Sequence, residues 1–356
     1  MAAKRAASKV VLSGIQPTGV PHLGNYCGAV SKWVALQAVE PEDVRSLYSI
    51  VDLHAITLPY ETSKLQDNIH GLLASLLGCG LDPKKSILFK QSDVREHTEL
   101  AWLLSCITPL SWMQRMTQFK QKSQKNESDA VSLGCISLSY SSTDASSSLL
   151  SYPALMAADV LLYKATHVPV GDDQQQHLEL ARMIATTFND RFQPHLFPKP
   201  IPVRDDPNDA LVRIMSLREP TEKMSKSDPS HNSRIDLTDA PDLIAKKIRK
   251  AQSDAIHGIF YNKVERPGIS NLMSILSAVT DQSVASIEAE YGSYQTGKFK
   301  QVVADAVVAK IGPIGERIQM YQQDRAYLDG VLKEGGDNAR AIAADTMAEV
   351  KAAMGL

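Results

Sequence analysis

Three short stretches hold the residues able to do chemistry. "TEKMSKSDPSHN" (221–232) places Lys223, Ser225, Lys226 and Ser227 on one short loop after an apolar stretch, "RIMSL" (213–217). Two ammonium groups and two hydroxyls suit a polyphosphate, because such a loop can close over it and stabilise charge that builds on a departing group. "SGIQPTGVPHLGNY" (13–26) follows a strand-like run directly, and Gly14, Gly19 and Gly24 allow close backbone approach before a helix that opens at about Tyr26. A helix start beyond the carboxyl end of a strand suits a phosphate, and His22 and Asn25 can hydrogen-bond a nucleotide there. In "YPALMAADVLLYKATHVPVGDDQQQH" (152–177), Asp159 stands among apolar neighbours. A carboxylate in that setting must be paired or hydrogen-bonded. It reads either as half of a structural ion pair or as the acceptor for an indole N–H or a phenol O–H. "GDDQ" (171–174) adds backbone N–H groups and two acids fit for a ribose or an ammonium.

Read singly, each stretch has an ordinary explanation: a solvated loop, a glycine turn, a buried ion pair. The elements that must carry them argue for a common site. "KVVLSG" (9–14), "SLYSIVD" (46–52), "SILFKQS" (86–92) and "HVPVG" (167–171) read as buried strands, separated by helical segments such as 63–79 and 97–107. Strands that are apolar throughout and alternate with helices predict a parallel, doubly wound sheet, Rossmann-like in class. After "GDDQ" the residues Leu178, Ala181, Ala185, Phe188 and Phe192 fall on one helical face, with the two acids at its start. From about residue 233 the pattern is helical: 240–253, 269–279, 284–291, 297–311, 313–334 and 337–354. The boundary is placed at 232, giving an α/β domain over 1–232 and an all-helical domain over 233–356.

Composition narrows the class. The chain has 356 residues, 44% apolar and 22% charged, with a net charge of −2. Nothing overall advertises a polyanion partner, so a nucleic-acid surface would be a local patch. "KKIRK" (246–250) reads as a solvated helix face or as such a patch. Cys27, Cys79, Cys106 and Cys135 are far apart, form no C-x-x-C pair, and read as reduced thiols. No apolar run approaches the roughly 18 residues of a membrane span. The leader "MAAKRAASK" is basic and acid-free, as in the remnant of an organelle transit peptide or a disordered terminus. "CISLSYSSTDASSS" (135–148) has seven serines in fourteen residues and reads as a flexible insert.

The pairing of "HLGN" after the first strand with a full "KMSKS" far downstream resembles the class I aminoacyl-tRNA synthetases. "YPALMAADVLLY" and "VPVGDDQQQHLELAR" narrow the resemblance to the tryptophanyl branch, of bacterial and organellar type. It runs from about Val10 to the C-terminus, interrupted by the serine-rich stretch. The resemblance implies ATP-dependent activation of L-tryptophan, with Mg²⁺ carried by ATP, and transfer of the tryptophanyl group to the 2′-OH at the 3′ end of tRNA(Trp). It further implies a homodimer, a helical anticodon-binding domain over 233–356, no prosthetic group, no metal held by the protein and no membrane.

Residue by residue, the resemblance puts Gln16, Pro17, Thr18, Gly24 and Asn25 along the ATP site, with His22 near its phosphates. Asp159 would accept the indole N–H, with Met156, Val168 and Val170 walling the ring. Gly171, Asp172 and Asp173 would touch the adenosine, Ile214 the adenine, and Gln174 the amino-acid end. Lys223, Met224, Ser225, Lys226 and Ser227 would form the phosphate loop, with Lys122 a further phosphate contact. His22, Lys223 and Lys226 would be catalytic through positioning and charge stabilisation, since the substrate carboxylate itself attacks the α-phosphate.

The sequence departs from its relatives in three places. Leu12 stands where they often carry Phe, "GED" is written "GDD", and 135–148 is either a lineage-specific loop or an unremoved intron. The rival readings are a tyrosyl-tRNA synthetase, a nucleotidyltransferase of the HxGH type, and a non-catalytic RNA-binding relative. The leader tilts the expected compartment to the mitochondrial matrix, with a bacterial cytoplasm as the alternative.

Overall fold

The computed structural model describes residues 9–37, 44–57, 60–116, 147–169, 174–203, 213–226 and 228–356. Five strands form one sheet in the order β3-β2-β1-β4-β5, every neighbouring pair parallel. They are β1 (Lys9–Ile15), β2 (Val44–Ile50), β3 (Ile87–Lys90), β4 (His167–Val168) and β5 (Ile201–Pro202). The four runs read as strands from the sequence are the first four of these. β5 is only two residues long and follows no apolar run, so periodicity has nothing to find there.

β-branched and aliphatic side chains fit strands buried on both faces, and Val11 and Leu47 are fully buried. Alternate residues face alternate layers. Tyr48, Ile50 and Leu88 join one core cluster, and Leu12, Leu47 and Phe89 join the other. The first cluster is closed by the helix α4 (Thr62–Gly78), which buries Ile69, Leu72, Leu73, Leu76 and Leu77 along one stripe. The second is closed by α5 (Glu96–Ser105), α7 (Ser147–Leu162) and α8 (Gln175–Arg191). Short helices lie between them: α1 (Leu23–Asn25), α2 (Ser31–Leu36), α3 (Asp52–Ala55) and α6 (Leu110–Gln114). Leu178, Ala181, Ala185 and Phe188 of α8 are buried as its face predicts, and Phe192 is half-buried just beyond its end.

Among the described residues the strands end by residue 202, and helices follow: α9 (Pro241–Arg249), α10 (Pro267–Thr280), α11 (Val284–Tyr291), α12 (Thr296–Gln323) and α13 (Arg325–Met354). The sequence predicts a break before Pro313, yet α12 runs straight through it. An internal proline costs a helix about 3 kcal/mol. Full burial of Val303, Val307, Ile311 and Ile318, with Ile314 nearly so, offsets that cost. The actual break falls at Asp324, whose side chain accepts from Tyr327 N and caps α13. α13 then lies back on the sheet. Gly335 sits against the Leu88 carbonyl, where a Cβ has no room, and Ala339, Ala343, Met347 and Val350 complete the second core. Among the described residues no helix is long and apolar enough to cross a membrane.

Candidate active site

The carboxyl ends of β1, β2 and β3 deliver, in turn, the His22 turn, Asp52 with His54, and Gln91. The strand order reverses between β1 and β4, and ligands of open α/β sheets bind in the crevice at such a switch point.

At the β1 end the helix starts earlier than expected, at Leu23 rather than about Tyr26, because His22 is its cap. Asn25 N donates to His22 Nδ1 at 3.2 Å, and His22 N donates to Asn25 Oδ1 at 3.1 Å. This reciprocal cap fixes the ring, and accepting at Nδ1 places the neutral ring's proton on Nε2. Gly24 makes room for it: a Cβ there would lie 3.0 Å from His22 Cε1 and Nδ1. His22 is 3% exposed. Burial first, then the charges of Lys226, Arg234 and Lys223, lower its pKa to about 3, so it stays neutral.

The cationic loop meets this turn. Lys226 Nζ donates to the Gly19 carbonyl at 3.0 Å, and Gly19 has a φ of 106°, in the region that favours glycine. Met224 N donates to the Ile214 carbonyl at 3.1 Å, and Met215 bridges Lys223. Met224 and Ile214 are buried in the first core with Leu23, so an apolar anchor holds the loop's base while Lys223 is exposed. Burial lowers the pKa of Lys226 to about 8, with Asp236 opposing and Arg234 adding to the shift. The return segment pairs with the His22 turn on both sides: Leu23 N donates to the Ile235 carbonyl at 2.8 Å and Leu237 N to the Pro21 carbonyl at 3.0 Å. Gln16 is half-buried, Pro17 buried and Thr18 exposed on the same turn.

Asp159 lies on a face of α7 that also carries Met156, half-buried, and the buried Tyr152, with the buried Tyr163 just past the helix end. The sequence left open whether its carboxylate is paired in the protein or reserved for a ligand. The structure gives it three protein donors. His54 Nε2 lies 2.8 Å from Oδ2, His97 Nδ1 2.6 Å from Oδ1, and Gln91 Nε2 2.8 Å from Oδ1 and 3.0 Å from Oδ2. Burial alone would raise the carboxyl, but the charge and hydrogen bonds of His97 and His54 outweigh it and hold it well below the usual range. Tyr163 keeps its proton, because burial and then Asp159 and Glu96 push the phenol up. Its hydroxyl lies 2.8 Å from His97 Nε2, on the side of the ring away from Asp159. Tyr152 reaches His177 Nε2 at 2.6 Å. Asp159 keeps a side-chain exposure of 10%. Val168 is buried at β4, and Gln174 is half-buried before α8.

Sequence reasoning missed His54, Gln91, His97, Tyr163 and Arg234. His54 and Gln91 stand just past strand ends, the position where such sheets put their sites, so location alone flags them. His97 sits inside α5 and Tyr163 just past the end of α7, and they leave no comparable mark. Lys122, Val170, Gly171, Asp172, Asp173 and Ser227 lie outside the described residues, as do the leader to residue 8 and the serine-rich stretch up to residue 146. Among the described residues no group of three His, Cys, Asp or Glu is arranged to hold a metal ion.

Comparison with known proteins places these features in context. The family described as tRNA synthetases class I (W and Y) matches residues 4–311. The tryptophan–tRNA ligase of Mesorhizobium japonicum is 43% identical over 372 residues, covering 99% of each chain. The tryptophanyl-tRNA synthetase structure from Mycoplasma pneumoniae superposes with a TM-score of 0.81 at 34% identity, covering 98% of each chain. That from Campylobacter jejuni, solved in complex with ADP and tryptophan, gives 0.78 at 30% identity, over 98% of this chain and all of the other.

Proposed function

We propose how the site works from one premise: the chain belongs to the class I tRNA synthetases for tryptophan and tyrosine, and it is a tryptophan–tRNA ligase. Such an enzyme activates L-tryptophan with ATP and passes the tryptophanyl group to tRNA(Trp). In the first step the substrate carboxylate oxygen forms a bond to the α-phosphorus, and the bond to pyrophosphate breaks. No protein nucleophile is required, so the protein's contribution is position and charge.

In our reading the β1 turn and the cationic loop hold the ATP phosphates between them. Neutral His22 offers Nε2–H, while Lys223 and Lys226 stabilise the charge that accumulates on pyrophosphate. Mg²⁺ enters on ATP as part of the substrate, because these donors suit phosphate oxygens and not a cation. Asp159 receives the indole N–H, beside Met156 and Val168. The observation that carries this reading is the 3.0 Å bond from Lys226 to Gly19, which joins the two motifs across the chain. Tryptophan-dependent ATP–pyrophosphate exchange, run beside tyrosine, tests it: exchange with tryptophan alone is expected, and exchange with tyrosine would mean that Asp159 meets a phenol.

We further assign residues 233–356 to the tRNA anticodon. Lys246, Arg249 and Lys250 are exposed on α9 and available to phosphates, whereas Lys247 is buried on Asp239 at 2.5 Å. A homodimer is supported by Trp102, 72% exposed on α5, and Leu110, 49% exposed on α6; light scattering of the purified chain tests it. We infer the compartment from the bacterial relatives, which fit a bacterial cytoplasm; the mitochondrial matrix expected from the leader is the alternative, and cell fractionation decides between them.

A further inference from the structure

The segment that returns from the cationic loop carries a buried cation with no assigned role. Arg234 is 8% exposed, and its three nitrogens have three different partners. Nε donates to Asp236 Oδ1 at 3.0 Å, Nη1 to the Asp228 carbonyl at 3.0 Å, and Nη2 to His231 Nδ1 at 2.9 Å. Asp228 and His231 lie in the limb of the loop just beyond Lys226. Asp236 belongs to the other motif, because its backbone bridges His22. One guanidinium therefore ties the limb that follows Lys226 to the segment that bridges His22. A lysine could pair with Asp236, but only a planar fork reaches three acceptors lying in different directions. The charge of Arg234 also bears on both catalytic groups: after burial, it acts to lower the pKa of His22 and of Lys226.

We propose that Arg234 is a positioning residue for ATP activation, fixing the loop so that Lys226 and His22 face the same phosphates and adding its own charge to the field they present. The inference rests on the reading of this loop as the ATP-phosphate clasp. It differs from a structural buckle in one respect. A buckle affects stability alone, whereas a positioning cation also affects how the enzyme handles ATP.

The test compares full-length wild type, R234M, R234K and K226A in tryptophan-dependent pyrophosphate exchange. Tryptophan affinity and melting temperature are measured alongside. R234M is expected to lower kcat/KM for ATP by about tenfold or more, the loss of a single good interaction, with tryptophan affinity unchanged. R234K should recover part of that, since the charge returns without the fork. The groups facing Lys226 are Asp236 and Arg234 on the return segment and neutral His22 on the turn, with Lys223 in its own loop. Removing Arg234 removes a repulsion, so the alkaline limb of kcat/KM for ATP should move to higher pH in R234M. R234Q carries the same comparison if R234M does not fold. A lower melting temperature with unchanged ATP kinetics and an unmoved limb, while K226A is impaired, overturns this inference alone. An unimpaired K226A overturns the clasp reading beneath it.

Discussion

Lys226 Nζ donates to the carbonyl of Gly19 at 3.0 Å, although the two residues lie 207 positions apart. A backbone oxygen of the β1 turn accepts from the ammonium that we propose meets phosphate. On that proposal, closing over ATP exchanges a neutral acceptor for a charged one, and charge-assisted hydrogen bonds are the stronger kind.

The protonation state of Lys226 sets a pH dependence. With its pKa lowered to about 8, the lysine is charged below that value and loses its proton as the pH rises through it. We expect kcat/KM for ATP in pyrophosphate exchange to be level near neutrality and to fall above about pH 8, by about tenfold per unit. His22, held to about 3, adds no acid limb near the ordinary histidine value. A profile level to about pH 9.5 would show that Lys226 charge is not needed.

Gly24 is required by the ring beside it. In G24A a methyl meets His22 Cε1 and Nδ1 at 3.0 Å, with Met224 Cβ at 3.6 Å behind it. The ring must give way by a few tenths of an ångström, which strains its cap to Asn25 N. Overpacking of this kind costs about 1–3 kcal/mol. We expect KM for ATP to rise about tenfold or more with little change in tryptophan affinity; wild-type ATP kinetics would place the ring outside the site.

Asp159 tests the other half of the pocket. Removing its carboxylate strands His54, His97 and Gln91, and breaking a buried pair costs about 3–5 kcal/mol. We expect D159A to melt lower and to raise KM for tryptophan about a hundredfold, since a site built around a donor–acceptor pair depends on it. An unaltered tryptophan KM in a folded D159A would leave the carboxylate a purely structural role.

α13 supplies the prediction about stability. G335A drives a Cβ into the Leu88 carbonyl and must lift the helix from β3. A loss of about 2 kcal/mol or more by denaturant unfolding is expected. Alanine is the better helix former by about 1 kcal/mol, so a stabilised variant would mean that α13 does not press on the sheet.

Much of this was legible beforehand, and the reasons are local. β1 to β4 announce themselves because strands buried on both faces are continuously apolar, and "HLGN" with "KMSKS" marks the phosphate side by residue type. What escaped depends on tertiary placement. His54, Gln91 and His97 converge on Asp159 from three separate segments, 105, 68 and 62 positions away, and no local pattern encodes that. Arg234 finds its three partners only in the folded loop, so residue type alone does not single it out. Pro313 read as a stop because propensity is local, whereas the burial that overrides it is not.

The most direct measurement is the single-turnover rate of tryptophanyl-adenylate formation in K226A, with tryptophan binding measured on the same protein. The account predicts a rate lower by about a thousandfold, as when a charge-stabilising donor is removed from a preorganised site, with tryptophan affinity within about twofold of wild type. An unchanged rate would contradict the claim that this loop clasps the phosphates of ATP.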